Sequence, residues 1–402
     1  MINQMPPKIA YMTHNGSIPS RKADGVAVMN TCSQFGLHGF DVELILPNGQ
    51  RTSTESLARR GNVWSFYQVP QSFRITYFPC PYLCSLWRHA GYGMLAVSYA
   101  ALTGRHIIYS RHIELAFLAA LYGRISIFES HNYLKVAEHP LLVHWVKLLR
   151  NCERRVAIVV TTHAAAQAYE ALGVPRRRIL VSPNGVDVKR FACSQPRDEV
   201  KRSLGLPLEK TIVGFCGHLY PGRGVEELLE CATRLHQVFF VIVGGEPDDV
   251  QRCEKKAQDL GLYNVKFVGF VPQFKVPNYL FASDILVMPY TKATPSHEYM
   301  SPMKMFDYLA SGRAIVATDF PVIREVLHDM KNAVIVPPGG GGELALGIQW
   351  LFDHPKSAEK LGDQARRDAK QYSWENRVRR IVTWMREMFF EHAAQRQGIP
   401  TR

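Results

Sequence analysis

Short apolar segments alternate with helical segments along the first half of the chain. The apolar segments lie at residues 8–12, 41–46, 107–109, 125–129 and 157–161. Between them, apolar residues recur at the spacing of one helix face, as in residues 25–39. Short, continuously apolar runs fit strands that are buried on both faces, and their alternation with helices is typical of a parallel sheet. The pattern therefore predicts an α/β domain.

The same alternation begins again after residue 210. Apolar segments at 211–216, 238–243, 265–268, 285–288 and 314–318 are separated by helical stretches. The segment between the two halves is polar and contains Pro196 and Pro207, which is typical of a linker between domains. We therefore predict an N-terminal domain at residues 1–192, a linker at 193–209, a second α/β domain at 210–372 and a C-terminal helix at 373–402.

A narrow polar helix face is predicted after the apolar segment 285–288. A helix is expected to open at Ser301-Pro302, because serine is a preferred N-cap and proline fits the first turn. Lys304, Asp307 and Ser311 then fall on one face. A helix N-terminus beside a lysine can hold a phosphate, and a carboxylate can accept hydrogen bonds from sugar hydroxyls. On spacing alone, a capped surface helix with a Lys304–Asp307 ion pair explains the pattern equally well.

Polar residues also follow two apolar segments of the first half. Arg111 follows 107–109, and Glu129-Ser130-His131 ends the segment 125–129. Open parallel sheets bind ligands beyond the carboxyl ends of their strands. A lone histidine is nevertheless more often structural than functional, so the residue pattern leaves both roles open for His131.

Length and composition fit a globular protein of two domains. The chain has 402 residues, of which 47% are hydrophobic and 21% charged. Its eight cysteines are scattered without the spacing of a zinc site, so we predict no metal site and reduced thiols. The N-terminus does not resemble a signal peptide, and no apolar run reaches the roughly 18 residues of a spanning helix. These features predict a cytoplasmic protein.

Positive charge is concentrated in the first half of the chain. The net charge is +13, and residues 1–200 hold 22 Lys and Arg against 12 Asp and Glu. This excess predicts an anionic partner, such as nucleic acid, anionic lipid or a phosphorylated acceptor. Residues 75–104 interleave aromatic side chains, including Trp87, with basic ones, including Arg88. Such a stretch fits either a surface that meets lipid headgroups or a core helix with its entry loop.

Three motifs carry a resemblance to a known family. They are PNGVD at 183–187, GHLYPGRGVEELLE at 217–230 and SPMKMFDYLASG at 301–312. Together they resemble glycosyltransferase family 4, the retaining sugar transferases of GT-B fold, and within it the bacterial type that acts in polysaccharide and glycolipid assembly. The resemblance covers nearly the whole chain. It implies the GT-B fold, in which two Rossmann-like domains with parallel sheets face a central cleft and the C-terminal helix returns to the first domain.

The resemblance also implies a donor site. Arg223 and Lys304 would stabilise the charge that develops on the leaving diphosphate, without a metal ion. His131, in an E-x-H pattern, and Glu298, one position from a family glutamate, would contact the donor sugar. The other implied donor contacts are Gly25, His218, Gly224, Met303 and Asp307.

Several positions depart from the family pattern: the first family glutamate falls on Tyr299, beside Glu298, and Arg223 replaces a lysine. Asp307 replaces a glutamate, as a shorter carboxylate for the ribose hydroxyls. His218 replaces an arginine, so a fixed charge becomes a titratable one. Donor affinity is therefore expected to fall as pH rises.

The implied function is transfer of a hexose from a UDP- or GDP-linked sugar to an acceptor hydroxyl with retention. The acceptor is expected to be lipid-linked or phosphorylated, and the enzyme to act peripherally on the inner face of the cell membrane, with no nucleic-acid partner. Two alternatives remain open at this point. A nucleotide-sugar epimerase of the same fold would convert its substrate without an acceptor. A nucleic-acid-binding protein would explain the charge, although no helix-turn-helix or zinc pattern is present.

Overall fold

The structure is a computed structural model of the chain, and it describes residues 6–14, 18–20, 22–48, 62–79, 85–131, 141–151, 155–192, 195–294 and 296–391. The chain forms two compact units. Unit 1 combines Met1–Pro183 with Trp374–Arg402, and unit 2 is Asn184–Ser373.

Unit 1 is built on a sheet of seven parallel strands in the order β3-β2-β1-β4-β5-β6-β7. The strands are β1 (Lys8–Met12), β2 (Asp41–Asn48), β3 (Arg74–Pro79), β4 (Ile107–Ser110), β5 (Ile125–Ser130), β6 (Val156–Val160) and β7 (Ile179–Val181). The helices between them are α1 (Ala23–Leu37), α2 (Val63–Tyr67), α3 (Ser85–Leu102), α4 (Ile113–Leu121), α5 (Leu141–Asn151) and α6 (His163–Ala171). Every residue of β4 and β6 is buried, which explains why β6 is apolar at every position and β4 at all but its last, Ser110.

Unit 2 has a sheet of six parallel strands in the order β10-β9-β8-β11-β12-β13. The strands are β8 (Thr211–Cys216), β9 (Val238–Val243), β10 (Val265–Gly269), β11 (Ile285–Met288), β12 (Ala314–Thr318) and β13 (Val334–Val336). The helices are α7 (Arg197–Ser203), α8 (Val225–Arg234), α9 (Pro247–Asp259), α10 (Val276–Ala282), α11 (Met303–Ser311), α12 (Pro321–Arg324), α13 (Gly341–Asp353) and α14 (Pro355–Ala369). Phe215, Phe240 and Val287 of the sheet share a core with residues of α8 and α13.

The strand order of each sheet reverses at one place. In unit 1, β1 pairs with both β2 and β4, so that Ile9 lies opposite Val42 on one side and Ile107 on the other. In unit 2, β8 lies between β9 and β11. The loops after these strands diverge at the reversal and leave room for a ligand at the carboxyl edge of the sheet. In unit 2 they are the loops after β8 and after β11.

The predicted linker 193–209 is instead part of unit 2. Most of its residues precede β8 as α7 and a following turn. Val200 and Leu206 are buried in a core cluster with Ile212 and Val241. Proline and charge made the segment look like a linker, but its few apolar residues are enough to dock it on the sheet. The division between the units lies earlier, after Pro183.

The last helix, α15 (Trp374–Arg386), belongs to unit 1 and packs on α1. The two ends of unit 2 meet just before it, where the Val186 N–H donates to the Tyr372 carbonyl at 3.0 Å. The chain therefore leaves unit 1 once, builds unit 2, and comes back.

Candidate active site

The helix α11 begins at Met303. Its N-cap residue is Pro302, whose side chain has no oxygen to accept a hydrogen bond from the first N–H groups of the helix. The prediction that Ser301 caps this helix is wrong. Its hydroxyl accepts a hydrogen bond from the Asn184 N–H at 3.2 Å, and its carbonyl accepts one from the Asn184 amide at 2.7 Å. The PNGVD loop is thus tied to the entry of α11. The first N–H groups of the helix have no capping side chain, which suits an anion.

Lys304 places an ammonium group beside this helix start. Its Nζ lies 3.9 Å from the centre of the Phe215 ring and 5.3 Å from that of Tyr290. Removal of the ammonium from water, together with the like charge of Arg223, lowers the pKa of Lys304 to about 7. Among the residues that the structure describes, no carboxylate lies within ion-pair distance of Lys304. The aromatic rings stabilise the cation only in part, so the site favours an anion.

Glycines bring the neighbouring backbone close to Lys304. A Cβ on Gly217 would lie 2.6 Å from Lys304 Nζ, so only glycine leaves space for the ammonium over this loop. Gly224 has a φ of +87°, and a Cβ there would lie 1.7 Å from the Pro289 carbonyl oxygen. The Thr294 hydroxyl donates to the Gly222 carbonyl at 2.6 Å. These contacts fix the loop after β8 against the loop after β11.

The loop after β8 carries the other predicted donor contacts. Arg223 lies between its two glycines and is close enough for its charge to act on Lys304. Gly224 is the N-cap residue of α8. The His218 ring stacks on Tyr220, with centres 4.8 Å apart and planes at 6°. The structure thus brings Arg223, Gly224 and Lys304 to one edge of the unit 2 sheet.

Asp307 lies one turn after Lys304 but does not pair with it. The two groups do not shift each other's pKa, so the surface ion pair that spacing allowed is not formed. Burial raises the pKa of Asp307 to about 7, against the opposing charge of Arg190. Arg190 also donates to the Asp187 carboxylate at 3.1 Å. Arg190 was not among the predicted site residues, since nothing in its spacing from PNGVD shows that its charge acts on Asp307.

Neither Glu298 nor the acidic segment at 246–249, after β9, takes part in the contacts of Lys304 described above. Glu298 is exposed in a turn, and within the described ranges its carboxylate has no hydrogen bond or ion pair. Asp248 and Asp249 lie in the first turn of α9, where the helix dipole favours acidic residues.

A set of possible metal ligands lies in unit 1, where His14, His112 and Glu114 bring their ligand atoms within 4.8 Å of one another.

Unit 1 contains a buried charge cluster centred on Glu129, at the end of β5. Its carboxylate accepts hydrogen bonds from the Tyr109 hydroxyl and from His131 Nε2. Arg377 Nη2 lies 3.1 Å and Arg111 Nε 3.8 Å from the same carboxylate. Burial alone would raise the pKa of Glu129, but Arg377, His131 and Arg111 hold it well below its ordinary range. Glu129 is therefore an ionised carboxylate that contacts both His131 and Arg111.

His131 is the most exposed member of this cluster, with 19% of its side-chain surface accessible. Burial and then the charge of Arg111 lower its pKa, and the carboxylate of Glu129 opposes them. The net result is a pKa below the ordinary value, so His131 is neutral at pH 7. A neutral ring whose Nε2–H is bound to Glu129 presents Nδ1 as a hydrogen-bond acceptor.

Gly25 is explained by packing inside unit 1. A Cβ on Gly25 would lie 2.5 Å from the Tyr67 hydroxyl. That hydroxyl accepts from the Ser20 N–H at 2.6 Å and donates to the Ser20 carbonyl at 3.1 Å. A glycine is therefore required here for the approach of a tyrosine, whether or not a phosphate also binds.

The aromatic and basic stretch divides between core and surface. Tyr92 is fully buried, whereas Met94, Leu95 and Leu102 of the same helix are exposed. The side chains of Trp87 and Arg88 lie outside the described residues. In the part of the chain that the structure describes, no helix combines the length and hydropathy needed to cross a membrane.

Comparison with known proteins identifies the family. The family model described as "Glycosyltransferase Family 4" matches residues 25–190, and the one described as "Glycosyl transferases group 1" matches residues 196–368. The D-inositol 3-phosphate glycosyltransferase of Corynebacterium urealyticum is 24% identical over 64% of this chain and 63% of its own length. The 2-deoxystreptamine glucosyltransferase of Streptomyces kanamyceticus is 27% identical over 58% of this chain and 60% of its own length. The chain thus matches less than two thirds of each relative.

Solved structures share the fold. The Anabaena protein Alr3699/HepE, in complex with UDP, has a TM-score of 0.74 at 18% identity, covering 94% of this chain and 100% of that chain. The same protein has been solved with UDP-glucose. The two family matches extend over most of both units, and the TM-score of 0.74 shows a shared fold. The chain belongs to glycosyltransferase family 4 and has the GT-B fold.

Proposed function

We propose that this chain transfers a hexose from a nucleotide-diphosphate sugar to an acceptor hydroxyl with retention of anomeric configuration. The observation that carries the proposal is the cationic site of unit 2, where Lys304 and Arg223 lie beside the uncapped start of α11. A partly desolvated ammonium with a second cation nearby and no carboxylate is unfavourable until an anion binds. A diphosphate supplies that anion, and its charge increases as the sugar leaves.

The nucleoside is proposed to bind through Asp307. Its carboxylate lies one helical turn from Lys304, which suits a ribose attached to the diphosphate. Arg190, which acts on Asp307 and is bound to Asp187, helps keep the carboxylate in place. The Anabaena structures with UDP and UDP-glucose support a UDP-linked donor, and a GDP-linked donor has the same diphosphate.

The chemistry follows from where the positive charge lies. The bond from the anomeric carbon to the diphosphate oxygen breaks, and the acceptor oxygen bonds to that carbon from the same face. The acceptor proton passes to a phosphate oxygen of the leaving group, so no protein base is needed. Lys304, Arg223 and the N–H groups of α11 stabilise the departing diphosphate. Since these groups already supply positive charge, we propose that the reaction is independent of metal.

The acceptor is proposed to be lipid-linked or phosphorylated, as in the assembly of cell-surface polysaccharide or glycolipid. The basic excess of residues 1–200 supports an anionic acceptor, and so does the relative that acts on D-inositol 3-phosphate. The exposed apolar residues Met94, Leu95 and Leu102 support peripheral contact with the inner face of the membrane.

A panel of nucleotide sugars tests the donor proposal directly. UDP-glucose, UDP-galactose, UDP-N-acetylglucosamine and GDP-mannose are compared in a thermal-shift assay, because a ligand at 100 times its Kd adds roughly 2.7 kcal/mol of stability. The expected result is one strongly stabilising donor, whose stabilisation is lost in Lys304→Ala. Proton NMR of the product formed with that donor then reports the anomeric configuration. Equal indifference of the protein to all four sugars would overturn the proposal.

A further inference from the structure

Arg377 lies at the centre of unit 1, although it belongs to the last helix of the chain. Its side chain is fully buried. Its Nε donates to the Pro183 carbonyl at 3.0 Å, and its Nη1 donates to the Thr31 hydroxyl at 3.4 Å. Its Nη2 faces Glu129 at 3.1 Å. Helix α15 therefore delivers a fixed positive charge to the carboxylate that holds His131.

The charges around His131 are balanced when the His131 ring itself is uncharged. The carboxylates are Glu129 and Asp24, and the cations are Arg377 and Arg111, which also pairs with Asp24. Among the described residues, the other titratable neighbours are the Tyr109 phenol, which donates to Glu129, the Tyr11 phenol, which stacks on Tyr109, and the buried Cys32 thiol. With two guanidinium groups against two carboxylates, the cluster needs no further proton. Without Arg377, the positive partners of the buried Glu129 among the described residues would be Arg111, shared with Asp24, and His131.

We propose that Arg377 is a positioning residue for His131. By neutralising Glu129 it keeps the His131 ring uncharged, with its Nε2–H bound to Glu129 and its Nδ1 left as the acceptor for substrate. The return of the chain to unit 1 thus supplies the charge that keeps His131 in the form proposed to bind the sugar. The identity of that substrate rests on the proposed function, but the charge state of His131 does not.

The surroundings of His131 favour its uncharged form. Burial, Arg111 and Arg377 all lower the pKa of His131, and only Glu129 raises it. Loss of Arg377 leaves the attraction of Glu129 less opposed, so the pKa of His131 should rise. A residue that only filled space or tied α15 to the sheet would change stability without this shift.

The test is a proton titration of His131 by NMR in the full chain. The ring signals are recorded in protein labelled with ¹⁵N histidine and assigned by comparison with His131→Asn. Three variants are compared with the wild type: Arg377→Met, which removes the charge but keeps an unbranched apolar stem, Arg377→Lys, which keeps a charge but loses the fork of donors, and Arg379→Met. Arg379 is an exposed arginine of the same helix whose guanidinium binds only Asn376 among the described contacts, so it is the matched control.

The expected results differ between the variants. In Arg377→Met the proton affinity of His131 should rise at least tenfold, whereas Arg377→Lys and Arg379→Met should stay near the wild type. The acidic limb of the pH profile of kcat/KM should move to higher pH in Arg377→Met alone. A folded Arg377→Met protein with an unchanged or lower His131 pKa would overturn the proposal. So would an equal shift in Arg377→Lys.

A second variant keeps the proposal testable if Arg377→Met does not fold. Glu129→Gln retains an oxygen that accepts from His131 but removes the charge that attracts its proton. His131 should then stay neutral to lower pH than in the wild type, and a rise in its pKa would contradict the proposal. Because these titrations need no nucleotide sugar, their outcome is separate from that of the donor panel.

Discussion

Binding of a nucleotide sugar should weaken as the pH rises above 7, because Lys304 then loses its proton. With a pKa of about 7 instead of 10.5, the ammonium is about half protonated at pH 7 and about 1% protonated at pH 9. A bound diphosphate favours the charged form and raises this pKa again. Full restoration of 3.5 pKa units would correspond to about 5 kcal/mol of coupling between proton and donor. The protein is therefore expected to take up protons when the nucleotide sugar binds.

Calorimetric titration with a nucleotide sugar measures this coupling. The diphosphate of a nucleotide sugar is a diester and does not titrate near neutral pH, so proton changes come from the protein. The Kd should increase about 50-fold between pH 7 and pH 9, in proportion to the loss of the ammonium. Titrations in two buffers of different ionisation enthalpy should show uptake of nearly a full proton at pH 8.5, where Asp307 is already ionised and only Lys304 titrates.

Lys304→Arg is the matched control, because a guanidinium keeps its charge over this range. Its donor affinity should be almost independent of pH above 7.5. Asp307, with a pKa of about 7, acts in the opposite direction and mainly below pH 7, since its ionised form is the better acceptor for ribose. An equal slope in Lys304→Arg, or the absence of proton uptake in the wild type, would show that this ammonium does not bind the diphosphate.

Four further outcomes are expected. Arg223→Ala and Lys304→Ala should each lower kcat/KM, because each removes roughly 3 kcal/mol of transition-state stabilisation, while the circular dichroism spectrum stays unchanged. Near-wild-type turnover in both variants would refute the donor site. Excess EDTA should leave turnover unchanged, and a requirement for magnesium or manganese would contradict the proposed charge stabilisation. Gly224→Ala should reduce the free energy of unfolding by more than Gly261→Ala, since both have positive φ but only the first also meets backbone atoms; strain alone is worth roughly 1–3 kcal/mol. At low salt the protein should pellet with anionic but not neutral vesicles, and Trp87→Ala should weaken pelleting; equal indifference to both would exclude the membrane surface.

The strands were the most predictable part of this fold. Both faces of these sheets are covered, so strands such as β6 and β11 are apolar at every position and stand out between polar loops. The polar face of α11 was predictable for the same reason, because helical spacing alone puts Lys304 and Asp307 on one side. Local periodicity is enough where a single element determines the arrangement.

Prediction failed where a distant segment decides the local structure. Ser301 has the right side chain to cap α11, but Asn184, 117 residues earlier, takes its hydroxyl. Gly25 was predicted as a donor contact, and only the folded structure shows that the approach of Tyr67 also requires a glycine there. Arg377 is one arginine among several in a basic amphipathic helix, and only the folded structure shows that it meets Glu129. No local pattern distinguishes such residues from their solvated neighbours.

The discontinuous unit 1 has a consequence for synthesis on the ribosome. Unit 2 is a continuous segment whose ends are joined at Val186 and Tyr372, so it can finish folding as soon as its last strand and helices emerge. Unit 1 is made first but lacks Arg377 until translation has passed the whole of unit 2, which ends at Ser373. During that interval the Glu129 carboxylate is missing a buried partner. The nascent chain should therefore acquire a protease-resistant unit 2 before unit 1 is complete, and a ribosome-bound chain stalled before residue 374 should expose unit 1 to a chaperone.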